Sequence, residues 1–337
     1  MTGSPSPRMR PPRLPRRALH GVLLLDKPHG WTSNDALQKA KGILRAEKAG
    51  HTGTLDPLAT GLLPLCFGAA TKFSQVSLDA DKTYRATLQL GQTRAGGDLE
   101  GEVLLERPVR CDRAAVQAAC ARFQGVISQL PPMHSALKHQ GKALYEYARA
   151  GQVVEREPRQ VTIHRLDILA WHPDRQDVLE IEVVCSKGTY IRTLAEDIGE
   201  ALGCGAHLTA LRRTASGPVH VQAAITLEAL AAMDEAERLR HLLPPDALLA
   251  AWPALTLSAD DAGRFLSGLR RRLAHPDASA VRVYGPAPDG GDGPGLFLGS
   301  AHITAGELIA DRLLSPLEVQ SLAPVSVSGP ELATIPL

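Results

Sequence analysis

The chain has 337 residues, 44% of them hydrophobic, which is enough for a sizeable core and, on length, for two domains. Its 37 basic and 36 acidic residues leave a formal net charge of +1, so no global field can draw in nucleic acid and any such binding rests on local clusters of cations. The cysteines, Cys66, Cys111, Cys120, Cys185 and Cys204, are odd in number and lack C-x-x-C spacing. That argues against a zinc site or a disulfide framework and fits a reducing cytoplasm.

Residues 1–18 read as a disordered basic tail, with Arg8, Arg10, Arg13, Arg16 and Arg17 interleaved with prolines and no acid before Asp26. A solvated leader is the plainer reading of it, ahead of a phosphate-binding arm. Val22 to Leu25 is a short apolar run ended by Lys27-Pro28-His29-Gly30, a pattern that predicts a buried strand and a turn. The run is too short for the core of a signal peptide, and no apolar run in the chain approaches a membrane span. Ser33 or Asn34 then caps a helix whose apolar positions are Leu37, Ala40, Ile43 and Leu44.

The stretch Gly50 to Leu65, GHTGTLDPLATGLLPL, organises the rest. A carboxylate in a run this apolar must find a cationic or hydrogen-bonding partner, because an unpaired buried charge is very unfavourable. Pro57 pushes Asp56 toward extended backbone, and the glycines permit turns that a side chain would block. The segment reads as a shaped loop, neither helix nor strand. Capping of a turn by Asp56 is the ordinary alternative for an Asp-Pro pair.

Further on, Lys82 to Leu90 alternates so that Tyr84, Ala86, Leu88 and Leu90 share one side of a strand. Asp112 to Phe123 carries a helical face of Val116, Ala119, Cys120 and Phe123, closed by Gly125. Residues 131–154 mix prolines, Lys138, His139, Lys142 and Arg149 with Tyr145 and Tyr147. Such a surface offers cations for phosphates and aromatics for unstacked bases. Gln160 to Trp171 and Asp177 to Cys185 are strand-like. A helix follows with Ile191, Leu194, Ala195 and Ile198 on one face, and Arg192 falls in its first turn, a poor place for a cation unless an anion lies nearby. His207 to Leu211 returns as a strand, followed by Arg212 and Arg213. Leu243 to Pro253 reads as a linker. Beyond it, Val281 to Tyr284 and Leu296 to Leu298 are short strands separated by the Gly, Pro and Asp-rich Gly285 to Gly295, a spacing that suggests a small β-barrel.

Taken with LLLDKPHGWTSNDALQKAK before it and KFSQVSLDADKTYRATLQLG, MHSALKHQGKALYEYAR and CSKGTYIRTLAEDIGEALGCGAHLTALRR after it, the Asp56 stretch resembles the tRNA pseudouridine synthase B family over most of residues 21–215. The resemblance implies an α+β fold, a mixed and mainly antiparallel central sheet flanked by helices with a small PUA-like barrel at the C-terminal end. The implied division is a basic tail over 1–18, a catalytic domain over 19–250 with an RNA-binding flap at 131–154, and a PUA-like domain over 251–325.

The implied activity is isomerisation of the T-loop uridine of tRNA, position 55, to pseudouridine, by a cytoplasmic monomer that needs no cofactor or metal. The family pattern makes Asp56 the essential carboxylate, attacking ribose, attacking the base, or abstracting a sugar proton. Arg192 is its cationic partner, Tyr84 stacks on the extruded uracil, and Tyr190 and Leu211 line the pocket. His51 holds the RNA where the base has left, Lys27 has a structural or phosphate role, and Lys138 and Lys142 contact RNA from the flap. Arg264, Arg270 to Arg272 and Arg282 are the candidate phosphate contacts of the C-terminal part. Three rivals stand beside this reading. They are a noncatalytic RNA-binding or RNA-folding protein, a guide-dependent synthase acting on ribosomal RNA, and a glycosidase, which would need a second carboxylate that the Asp56 loop lacks.

Overall fold

The computed structural model describes residues 15–172, 175–287 and 295–322; Arg8, Arg10 and Arg13 of the basic tail lie outside them. In chain order the first half runs β1 (Gly21–Lys27), α1 (Ser33–Ile43), β2 (Ala49–His51), β3 (Thr60–Phe67), α2 (Ser74–Asp79) and β4 (Lys82–Leu90). A hairpin of β5 (Gln92–Arg94) and β6 (Val103–Glu106), α3 (Arg113–Ala121) and β7 (Gly125–Gln129) follow. The flap holds β8 (Lys138–His139), β9 (Lys142–Ala143) and α4 (Leu144–Arg149). Then come β10 (Arg159–His172), β11 (Arg175–Cys185), α5 (Ile191–Ala201), β12 (Ala206–Ser216), β13 (Val219–His220), α6 (Leu227–Ala232), α7 (Glu235–Arg240) and β14 (Leu242–Leu243). The last section has β15 (Ala254–Thr256), α8 (Ala259–Leu266), β16 (Arg271–Arg272), β17 (Ala278–Tyr284), β18 (Phe297–Thr304), β19 (Glu307–Leu313) and α9 (Pro316–Ser321).

Ten strands form one sheet in the order β14-β1-β3-β12-β4-β11-β10-β7, with β2 beside β3 and β13 beside β12. The β12–β3 pairing is parallel and the other pairings are antiparallel. This is the mixed, mainly antiparallel α+β architecture that the family resemblance implies. Leu23, Leu25, Leu63, Leu65 and Leu88 of the sheet and Leu37, Ala40, Leu194 and Ile198 of the flanking helices share one buried core. A second, curled sheet of five strands, β15-β17-β18-β19-β16, has its own core around Phe265, Val281, Val283 and Ile303. Phe73 and Phe297 join the two parts, edge to face with ring centroids 5.1 Å apart.

Several expectations need correction. Gly50 to Leu65 is only in part a loop: its two ends are β2 and β3, and β3 is buried between β1 and β12 because the run after Thr60 is apolar on both faces. Pro64 lacks a donor, yet its carbonyl accepts from the Thr52 amide at 3.1 Å, and Leu24, opposite it in register, turns its carbonyl to the Ile225 amide at 2.9 Å. The cap of α1 is Thr32, whose side chain accepts from the Asp35 amide, rather than Ser33 or Asn34. The basic tail ends before Arg17, which exchanges backbone bonds with Arg45 and Glu47 and pairs with Glu235. The linker-like Leu243 to Pro253 is packed, since Leu248 and Leu249 are buried and Asp246 pairs with Arg282 at 3.1 Å.

Candidate active site

Asp56 lies in the turn between β2 and β3, and the β1–α1 connection fastens that turn on both sides. The buried Ser33 hydroxyl accepts from the Leu55 amide at 2.8 Å and donates to the Leu55 carbonyl at 3.0 Å. The Gly30 amide donates to the Pro57 carbonyl at 2.8 Å. Lys27 is fully buried, and its ammonium donates to the carbonyls of Trp31 at 2.6 Å and Pro28 at 3.0 Å. This burial favours the structural role expected for Lys27 over a phosphate contact. Burial lowers its pKa to about 8, with Asp56 raising it and Arg213 lowering it further. Gly61, at φ +98°, is where β3 meets β12, and a Cβ there would lie 2.3 Å from the Arg213 carbonyl oxygen.

Arg192 enters from the start of α5. One guanidinium nitrogen is 2.9 Å from an Asp56 carboxylate oxygen and donates to the His134 carbonyl at 2.7 Å. The other donates to the Gly96 carbonyl at 3.2 Å and stands 3.7 Å from Asp98. The cation that was poorly placed by the helix dipole is thus set between two acids. The arginine side chain is 6% exposed and that of Asp56 is 41% exposed: the guanidinium is sealed below and the carboxylate opens to solvent. One turn further on, Glu196 fits against Gly97. Burial first, and then the neighbouring Asp197, Asp98 and Glu200, raise its pKa to about 7 against the pull of Arg192.

Two of the other predicted residues, Tyr84 and Tyr190, are coupled to this pair. The Asp56 charge is felt at both Tyr84 and Tyr190, whose phenols are pushed up mainly by burial. Tyr84 pairs in register with Arg213 across β4 and β12, and the nearby guanidinium pulls the phenol the other way. Leu211 is buried on β12 opposite Ala86, and its carbonyl accepts from the Thr60 hydroxyl at 3.4 Å. His51 ends β2, with Nδ1 buried and unpartnered, and burial together with Arg213 holds its pKa below the usual value. Lys138 and Lys142 are elsewhere, on the flap hairpin, where the Lys142 ammonium lies 4.7 Å from the centre of the Tyr147 ring.

Three contributors escaped the sequence reading. Asp98 sits in the Gly-rich AGGDLEG run, a local signal comparable to that around Asp56 but without its apolar setting. Gln129 and Arg213 carry no local signal: each is a polar residue in a strand, and only the tertiary structure buries it. Expected phosphate contacts in the C-terminal sheet also change. Arg282 is turned inward, donating to the Trp252 carbonyl at 3.0 Å as well as pairing with Asp246, so it is not free for a phosphate. Arg271 donates to Asp261 at 2.7 Å, while Arg264, Arg270 and Arg272 stay exposed beside single acids. Among the described residues no group of three or more His, Cys, Asp and Glu side chains is arranged to hold a metal ion, and no helix is long and apolar enough to cross a membrane.

A buried guanidinium thus lies beneath an open carboxylate on an α+β scaffold, and comparison with known proteins places the chain in a family. The TruB family pseudouridylate synthase N-terminal domain matches residues 41–191, and the tRNA pseudouridylate synthase B C-terminal domain matches residues 192–250. The chain belongs to the TruB family of pseudouridylate synthases. It is 59% identical to tRNA pseudouridine synthase B of Cupriavidus pinatubonensis, covering 90% of this chain and 97% of that protein. It is 58% identical to tRNA pseudouridine synthase B of Verminephrobacter eiseniae, covering 92% of this chain and 93% of the other. The fold is similar to that in a solved Cbf5-Nop10-Gar1 complex, with a TM-score of 0.66 at 24% identity over 89% of this chain and 87% of that one. It is also similar to an archaeal box H/ACA Nop10-Cbf5 complex, with a TM-score of 0.64 at 23% identity over 88% and 86%.

Proposed function

We propose that this chain isomerises a uridine of tRNA to pseudouridine, that the target is the T-loop uridine, and that Asp56 is the essential carboxylate. The observation that carries the reading is the Asp56–Arg192 pair, 2.9 Å apart with the cation buried and the anion open. A buried arginine that holds an exposed carboxylate presents a charged oxygen in fixed geometry, which is what nucleophilic or basic attack at a ribose or a base requires. A base can reach that oxygen only by leaving its stack, and Tyr84 supplies a face for it, with Tyr190 and Leu211 as walls. His51 holds the RNA where the base has left. The flap hairpin brings Lys138 and Lys142 over the bound loop, and the barrel-like segment from 251 onward adds phosphate contacts through Arg264, Arg270 and Arg272.

Action as a monomer belongs to the same reading. The free cysteines, most of them buried, suit a reducing cytoplasm. On this reading the catalytic part spans 19–250 and the RNA-binding part 251–325, the last three residues of which lie outside the described structure.

Asp56→Asn tests the proposal, because it removes the charge and leaves the shape. Tritium release from tRNA labelled at uridine C5 is expected to fall to background while tRNA binding is retained, and activity within about tenfold of wild type overturns the assignment. Mass-spectrometric mapping of an unmodified tRNA transcript after incubation locates the product. Pseudouridine outside the T loop, or product only on ribosomal RNA, refutes the specificity.

A further inference from the structure

Gln129 is the last residue of β7 and the first step into the flap, and it is 2% exposed. Its side-chain amide makes a strand-like pair with the backbone of Tyr190. The Tyr190 amide donates to Gln129 Oε1 at 3.1 Å, and Gln129 Nε2 donates to the Tyr190 carbonyl at 3.3 Å. Tyr190 is the cap residue of α5 and has no side-chain cap of its own, so this amide defines where the helix begins. Arg192 follows two residues later, and the position of its guanidinium depends on that first turn.

The same segment reaches the guanidinium directly, since the His134 carbonyl accepts from Arg192 at 2.7 Å. Beyond it, the Ser135 carbonyl accepts from the Tyr145 amide at 3.1 Å, which ties in α4 of the flap. The flap's other root is closed by Arg156, which donates to the Pro131 carbonyl at 2.8 Å. Two hydrogen bonds on adjacent residues, at His134 and Ser135, therefore link the buried cation beneath Asp56 to the start of the helix that carries Tyr147.

We propose that Gln129 is a positioning residue for the isomerisation: its amide fixes the peptide of Tyr190, sets the start of α5 so that Arg192 meets Asp56, and couples that geometry to the flap. The inference rests on the roles proposed above for Arg192 and Tyr190. Gln129 acts only through Tyr190 and the helix behind it, with no contact to the substrate. Its loss should therefore slow the chemical step on bound RNA and leave binding little changed, a split that mere loss of folded protein does not produce.

The experiment uses the full-length chain with an unmodified tRNA transcript, measuring single-turnover tritium release at saturating enzyme, filter binding, and the folded fraction by circular dichroism. Gln129→Leu removes both bonds and is expected to lower the single-turnover rate about tenfold to thirtyfold, with affinity within about threefold. Gln129→Glu keeps the acceptor and, when ionised, sets an oxygen against the Tyr190 carbonyl; protonation restores the donor. Its rate relative to wild type should climb as pH falls from about 8 to about 5.5, a ratio in which the titrations of Glu196 and His51, common to both proteins, cancel.

A Gln129→Leu rate within twofold of wild type overturns the proposal, as does a loss confined to affinity. If Gln129→Leu does not fold, Gln129→Glu decides alone, and a ratio flat across pH overturns it. Arg192→Leu is run alongside. Full activity in Arg192→Leu removes the site reading and this inference with it, whereas an inactive Arg192→Leu beside an unaffected Gln129→Leu removes this inference only.

Discussion

At the start of α5 one guanidinium, 6% exposed, is shared among Asp56, Asp98 and two backbone carbonyls, whereas Arg264, Arg270 and Arg272 of the C-terminal part are 50%, 69% and 87% exposed, and each faces one acid at 3.1 to 3.8 Å. Breaking a buried pair leaves a charge uncompensated and costs roughly 3–5 kcal/mol, while an exposed pair contributes about 0.2–1 kcal/mol. The first arrangement holds a carboxylate in one place. The second is easily given up, so a phosphate can replace Glu307 or Asp260 at little cost. On the proposed reading the two regions divide the work between fixing atoms and gathering charge.

The largest effect is expected at Arg192. Arg192→Leu should lower turnover by about a thousandfold or more, because Asp56 and Asp98 are left facing one another without a cation. Arg192→Lys should recover only part of it, since an ammonium cannot hold two carboxylates and two carbonyls from one planar fork. Single-turnover kinetics on bound tRNA read both variants, and a Lys variant equal to wild type denies the planar contact any role.

Lys27 offers a structural contrast within the same region, a buried cation served by carbonyls alone. Lys27→Met should lower stability by about 1–3 kcal/mol, since the carbonyls of Pro28 and Trp31 lose their donor. The Asp56 turn should loosen with it. Urea unfolding gives the first quantity, and hydrogen exchange at Gly30 and Leu55 gives the second. Unchanged exchange at both amides would mean that the ammonium does not fasten the turn.

Glu196 adds a pH signature. Burial raises its pKa from 4.5 to about 7, so over that range the folded protein keeps a proton that the unfolded chain has released. The stability this group contributes is complete below about 4.5 and is lost as pH rises through 7. Glu196→Gln, neutral at every pH, should therefore gain on wild type between pH 5 and pH 8 by roughly a few degrees in melting temperature. Melting curves at the two pH values check it, and a difference that does not change with pH excludes a buried, proton-retaining Glu196.

The smallest effects belong to the exposed arginines. Replacing both Arg270 and Arg272 by alanine should flatten the plot of log affinity against log salt by about 0.7–0.9 for each phosphate no longer neutralised, and leave the single-turnover rate unchanged. An unaltered slope removes these two residues from the RNA interface.

Much of this protein was legible in its sequence because the signal is local. The alternation from Lys82 to Leu90 is β4 residue for residue, and the spacing of Val116, Ala119 and Cys120 is the buried face of α3. An aspartate in an apolar, glycine-rich run marks itself, and an arginine in the first turn of a helix announces an anion nearby. Periodicity cannot reveal which strands lie side by side. The extended runs after Thr60 and from Ala206 became neighbours by a parallel pairing made across the chain, and that pairing turned Arg213 from an expected strand-end cation into a fully buried one.

The strand and helix patterns, and the marking of Asp56 and Arg192 as candidates, were therefore determined by the sequence alone, because each depends on residues within a turn or two of one another. The tertiary structure decided that Lys27 is buried among carbonyls, that Asp98 is the second acid on Arg192, and that the Gln129 amide meets the backbone of Tyr190. Each of those depends on which carbonyl or carboxylate arrives from a distant part of the chain once water has been excluded, and burial gives a polar side chain its role through the partners it then must find.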